Sequence, residues 1–188
     1  NCTLKGIKIY NCSNVKGSYT ITNSTLDGTS AAADAYVIHL QGNETAPLTI
    51  NISDNTISGY DRGINIDQKT ADVTISGNTI SIKDTGRSCI QLSSLAKTKI
   101  ENNTLNLTGG NAITLHENLL TVSTAPTVTI SGNTITGTGY LIYDDAAASG
   151  KSFTSENLTL NYGTNTVDST VDTTKGVKGT NVFDLSTG

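Results

Sequence analysis

One phrase recurs along this chain with its residues in the same order, and such a repeat constrains the fold more than any other feature. Ile52-Ser53-Asp54-Asn55-Thr56-Ile57 is echoed by Ile75-Ser76-Gly77-Asn78-Thr79-Ile80, by Ile100-Glu101-Asn102-Asn103-Thr104-Leu105 and by Ile130-Ser131-Gly132-Asn133-Thr134-Ile135. Looser copies are Ile21-Thr22-Asn23-Ser24-Thr25-Leu26 and Gly163-Thr164-Asn165-Thr166-Val167, and the chain opens inside a copy at Asn1-Cys2-Thr3-Leu4. Anchored on the Asn position, the copies fall at 2, 24, 55, 78, 103, 133 and 165, between 22 and 32 residues apart. A fixed minimum with a variable excess is the mark of coils with one cross-section and loops of different length.

A second motif lies between the anchors, two apolar residues flanking any third. It reads Ile7-Lys8-Ile9, Ile38-His39-Leu40, Ile64-Asn65-Ile66, Ile90-Gln91-Leu92, Ile113-Thr114-Leu115 and Leu141-Ile142-Tyr143. These are strand patterns of period two, and no helical stripe accompanies them. A single repeat cannot bury its apolar face, so repeats must stack, strand on equivalent strand, about 4.8 Å apart. The Asn between two apolar residues marks a bend, where its amide can bond to the same amide one coil away. The expected ladder is Asn55, Asn78, Asn103, Asn133 and Asn165, because Cys2 and Ser24 interrupt it upstream.

Val73-Thr74-Ile75-Ser76-Gly77-Asn78-Thr79-Ile80 resembles the parallel β-helix repeat of the pectate-lyase-like superfamily, and the resemblance extends from Asn1 to about Val167. It implies an all-β, right-handed, single-stranded parallel β-helix of about seven coils with three parallel sheets. The Ile64-type strand would be the first sheet, and the Asn bend would join the second and third. Asn1 starts in mid-coil without a capping helix, so residues 1–188 are expected to be one domain cut from a longer protein. Residues 168–188 are expected to form a C-terminal loop or cap, with a last strand at Phe183-Asp184-Leu185.

Composition narrows the function classes. The net charge of −4 is mild and unclustered, without the basic patch that nucleic-acid binding requires. No apolar stretch approaches membrane-spanning length, and no signal-peptide pattern is present. The odd set Cys2, Cys12 and Cys89 has no metal-ligand spacing. The three are expected to be buried or half-buried thiols, with a Cys2–Cys12 disulfide as the alternative.

Function must then be written on the outside of the coils. The residue after each anchor is Thr, at 3, 25, 56, 79, 104, 134 and 166. Ice-binding solenoids use a flat Thr-x-Thr array, but Lys5, Asp27 and Asp168 break the second column here. On the first-sheet face one expected column holds Lys8, His39, Asn65, Gln91, Thr114 and Ile142, and its neighbour Tyr10, Gln41, Asp67, Ser93, His116 and Asp144. The only two arginines, Arg62 and Arg87, fall on consecutive coils just before that strand, beside Asp61 and Asp84. With Asp67, their guanidinium forks are candidates for holding an acidic glycan. His116-Glu117 and Asp144-Asp145 lie on adjacent coils and are the candidate catalytic set, two or three coils from Arg62.

The resulting expectation is a non-catalytic scaffold, secreted or on a bacterial cell surface, that binds a polysaccharide or host glycan or serves in adhesion, with no cofactor. The alternative is a polysaccharide lyase or glycoside hydrolase acting on an acidic glycan, with Ca²⁺ expected if it is a lyase. Ice binding through the Thr columns is a minor third reading. Ligand identity and oligomeric state are left open by the sequence.

Overall fold

The computed structural model describes residues 2–11, 17–42 and 48–173, and throughout these the chain winds as a parallel solenoid. The Thr row is in register from end to end: Thr3, Thr25, Thr56, Thr79, Thr104, Thr134 and Thr166 are successive Cα partners. The strands before the bend form a six-stranded parallel sheet running from Gly17–Thr22 to Thr159–Tyr162. Complete turns among the described residues therefore fall slightly short of the seven expected, since Thr166–Val167 and Val171–Asp172 only begin another. The expected strand at 183–185 lies outside the described residues.

The apolar residues stack in rows. Leu26, Ile57, Ile80, Leu105 and Ile135 make one, Ile52, Ile75, Ile100 and Ile130 another, and Ile38, Ile64, Ile90, Ile113 and Ile142 a third, all buried. Fully burying such a side chain is worth about 1.5–3 kcal/mol, and a β-branched Ile suits both the strand and the stack. One row breaks its own rule: Ile50, Val73 and Val128 are joined by Thr98, fully buried with no partner for its hydroxyl.

The bend explains the repeated phrase. The residue before each ladder position is left-handed at Asn23, Asp54, Gly77, Asn102 and Gly132, with φ between +51° and +68°. Only Gly, Asn and Asp adopt this readily, which is why these five copies carry one of them there; the last copy, with Thr164 before Asn165, departs from the pattern. The next residue turns its amide along the solenoid axis. Asn103 Oδ1 accepts from the Asn78 backbone N–H and from Asn78 Nδ2, both at 3.0 Å. Asn103 Nδ2 in turn donates to Ile75 O at 2.8 Å, Glu101 O at 3.1 Å and Asn133 Oδ1 at 3.0 Å. The ladder runs through Asn55, Asn78, Asn103, Asn133 and Asn165, and ends upstream where the Ser24 N–H donates to Asn55 Oδ1.

The first and third strand faces merge into one twelve-stranded sheet, because Thr104–Leu115 and Thr134–Asp144 run round the corner between them unbroken. The coils touch at that corner. A Cβ on Gly139 would lie 2.0 Å from Gly110 O, so glycine is the residue that fits. The cysteines do not share one environment: Cys89 is buried, whereas Cys2 is exposed, against expectation, on the outermost described coil. Burial, outweighing a backbone hydrogen bond at Ile82, pushes the Cys89 thiol up to about 12. Cys12, and with it the Cys2–Cys12 pairing, lies outside the described residues.

Candidate functional site

The first-sheet face carries a polar cleft of about 270 Å³. Its register differs from the expected columns. Ile142 pairs with Ile113 and is buried, so Tyr143 takes the outward place beside Thr114. At the other end Tyr10, not Lys8, pairs with His39. At the Tyr143 end the cause is the corner: Leu141 is buried in the position that Ala112 and Cys89 occupy, so two consecutive residues point inward and a period-two reading slips by one.

That slip rearranges the candidate residues. Of the four expected catalytic residues, the cleft gathers His116 and Asp145, together with both expected arginines, Arg62 and Arg87. Asp144, paired with Leu115, is buried and accepts from Ala147 N–H at 3.2 Å, capping the short 3₁₀ turn Ala146–Ser149. Burial raises its carboxyl above the ordinary range, against the pull of the Ala147 and Ala146 N–H groups. Glu117 accepts from Lys151 Nζ at 2.9 Å, and that hydrogen bond holds its carboxyl below the usual range. Neither lines the cleft, nor does Asp67, whose Cα partners are Gln41 and Ser94.

The arginines do not follow the expected pairing. Arg62 forks onto Asp34, with Nε to Oδ1 at 2.6 Å and Nη2 to Oδ2 at 2.5 Å, and Arg87 Nη2 reaches the same Asp34 Oδ1 at 3.0 Å. Asp61 instead faces Lys83 and accepts from the Asp34 N–H, while Asp84 accepts from Gly86 N–H at 2.7 Å. The Arg62 hydrogen bond, outweighing partial burial, holds the Asp34 carboxyl below its ordinary range. Arg62 is further fixed by Tyr36: Nη1 donates to its hydroxyl at 3.0 Å and the guanidinium lies 4.9 Å from the ring centre. Its side chain is 18% exposed, against 42% for Arg87, so Arg87 is the cation that the cleft offers to solvent.

The cleft floor is made of neutral polar groups bonded across coils. Ser88 and Thr114 share a hydroxyl hydrogen bond at 2.5 Å, and Asn111 Nδ2 reaches both oxygens at 3.4 Å. Tyr36 Oη donates to Gln91 Oε1 at 3.1 Å, and Gln91 Nε2 donates to Ser93. His116 Nδ1 accepts from Asn118 N–H at 3.2 Å, which leaves Nε2 facing Asp145 Oδ2 at 3.3 Å. In the neutral ring the proton therefore sits on Nε2 and donates to Asp145, so no imidazole lone pair opens into the cleft.

Tyr36, Asp34, Asn111 and Tyr143 were not singled out from the sequence. A signal existed for two of them. Tyr36 stands two residues before Ile38 as Arg62 stands before Ile64, and Asn111 stands likewise before Ile113. Extending the column upstream would have found both. Asp34 sits in a loop whose path the repeat does not specify.

Among the described residues no group of three His, Cys, Asp or Glu side chains is placed to hold a metal ion, and no helix is long and apolar enough to cross a membrane. The family model described as right handed beta helix region matches residues 1–178. No curated protein and no solved structure matches the chain.

Proposed function

The chain belongs to the right-handed β-helix family, and from that premise we propose that it is a non-catalytic scaffold, outside the cell or on its surface, whose cleft binds an acidic glycan. The observation that supports this is the half-exposed Arg87 guanidinium, set beside neutral hydroxyl and amide groups on a rigid sheet face. Sugar hydroxyls match such groups, and a uronate carboxylate matches a guanidinium edge. The cleft falls just below the roughly 300–1,000 Å³ of ordinary small-molecule sites, which suits a single sugar residue of a longer chain. Isothermal titration with oligouronates tests the reading. Binding is expected to weaken about tenfold in Arg87→Gln, the worth of one charge-assisted hydrogen bond. Equal affinity in the variant would end the proposal.

A lyase or hydrolase is the second reading, supported by the His116–Asp145 pair standing beside the two arginines. It draws less support, because the proton on His116 Nε2 points at Asp145 and Asp144 is committed to its turn. Release of unsaturated or reducing ends from polyuronates, with and without Ca²⁺, that is lost in Asp145→Asn would favour it. Ice binding draws less still. The residues beside the Thr row bond to one another, Asn106 donating to Ser81 and accepting from Thr136, instead of presenting a second flat Thr row.

A further inference from the structure

We propose that Asp34 is a built-in competitor for the cleft, a carboxylate of the chain itself that occupies the guanidinium edges an acidic ligand would take and so sets which ligands the cleft accepts. The inference rests on the acidic-glycan reading above and deepens it.

Three observations converge. Asp34 engages Arg62 through Nε and Nη2, the side-on bidentate geometry in which a ligand carboxylate would bind, and it also meets Arg87. It comes from the loop between Thr25–Asp27 and Tyr36–Gln41, whereas the arginines belong to the next two coils, so its contact with them is tertiary. Its side chain is 54% exposed although it forms these bonds, so it can turn out to water without opening the core. The two guanidinium groups outnumber the one carboxylate they share, and the cleft's other carboxylate, Asp145, faces His116 instead.

The arginines differ in what displacement would release. Arg62 stays fixed by Tyr36 when Asp34 leaves, and its Nε–Nη2 edge becomes free. Arg87, with its side chain 42% exposed, gives up its ion pair with Asp34 and is free to reach a ligand. A ligand carboxylate that replaces Asp34 would therefore bridge both arginines, while a neutral sugar has nothing to gain from the exchange. Asp34 is thus a specificity-determining residue. It holds back acidic ligands and leaves neutral ones unaffected.

The variant Asp34→Asn tests this. Asn tolerates the left-handed φ of +60° at this position, so the loop is kept while the charge is removed. The probes are an oligouronate and its fully methyl-esterified form, titrated calorimetrically into the intact protein. Asp34→Asn is expected to bind the oligouronate about tenfold tighter than the parent chain, with the ester unchanged. Asp34→Gly, which also lacks the charge and adopts positive φ freely, should do the same if the Asn variant folds poorly. Unchanged or weaker oligouronate binding in folded variants would overturn the proposal, weaker binding marking Asp34 as a positioning residue. If the parent chain fails to bind and both variants bind, the cleft reading fails for the native protein while the competitor role stands. If parent and variants all fail to bind, both fall.

Discussion

Replacing Asn103 by Ala removes the centre of the ladder and leaves its neighbours in place. The buried Asn78 N–H then loses its acceptor, while the Ile75 carbonyl loses one donor but stays in the ladder between Ala71–Ser76 and Lys97–Glu101. Asn78 Nδ2 keeps Ile52 O and Ser76 O, and Asn133 Oδ1 keeps the Asn103 N–H, so these are largely spared. Asn103 is 1% exposed, which keeps water from replacing the lost amide. At about 1–3 kcal/mol for one stranded buried group, the expected loss is toward the upper end of that range, since the Ile75, Glu101 and Asn133 acceptors each lose a second donor as well. Asn165→Ala is the internal control: it makes the same kind of contacts at the last rung but is half-buried, so water can serve its partners and about 1 kcal/mol is expected. Urea unfolding followed by circular dichroism measures both, with the slope checked for a change. A steeper loss at Asn103 with an unbroken single transition is expected. A loss below about 1 kcal/mol at Asn103, or equal losses at the two positions, would show that the ladder follows the coil without holding it.

Two further substitutions probe groups that the fold leaves poorly served. Thr98→Val deletes a buried hydroxyl without a partner and restores the Val row of Val73 and Val128, so it should raise stability by about 1 kcal/mol in the same assay; a destabilised variant would mean that the hydroxyl is bonded. Asp144→Asn keeps an acceptor for Ala147 N–H and removes a carboxyl whose pKa burial has raised. A raised folded pKa means that the proton is held more tightly in the folded state, so the carboxyl's contribution is full below the unfolded value of about 3.9 and is lost as pH rises through the folded value. Asp144→Asn should therefore be more stable than the parent at neutral pH, with the gap closing below about pH 4; a gap that widens in acid would reverse the assignment.

How much of this was readable from the residues depends on whether a position repeats. The four central bends are written locally: a Gly, Asn or Asp able to turn left-handed, then Asn, then Thr, between two apolar residues. Their geometry follows from φ preferences and from the period of two, so the parallel coil, the Thr row and the ladder from Asn55 onward are legible in the chain itself. The corner before the first-sheet strand is not. There Leu141 and Ile142 both turn inward, and nothing local says which of two adjacent apolar residues continues the stack, so the register at Tyr143 and Asp145 had to come from the packed coils. The cleft is decided at the same level. Asp34 is separated from Arg62 and Arg87 by 28 and 53 residues and is brought to them by the stacking of three coils and the path of one loop. Backbone propensity and alternation act over a few residues, whereas an ion pair between loops depends on where the whole stack places them.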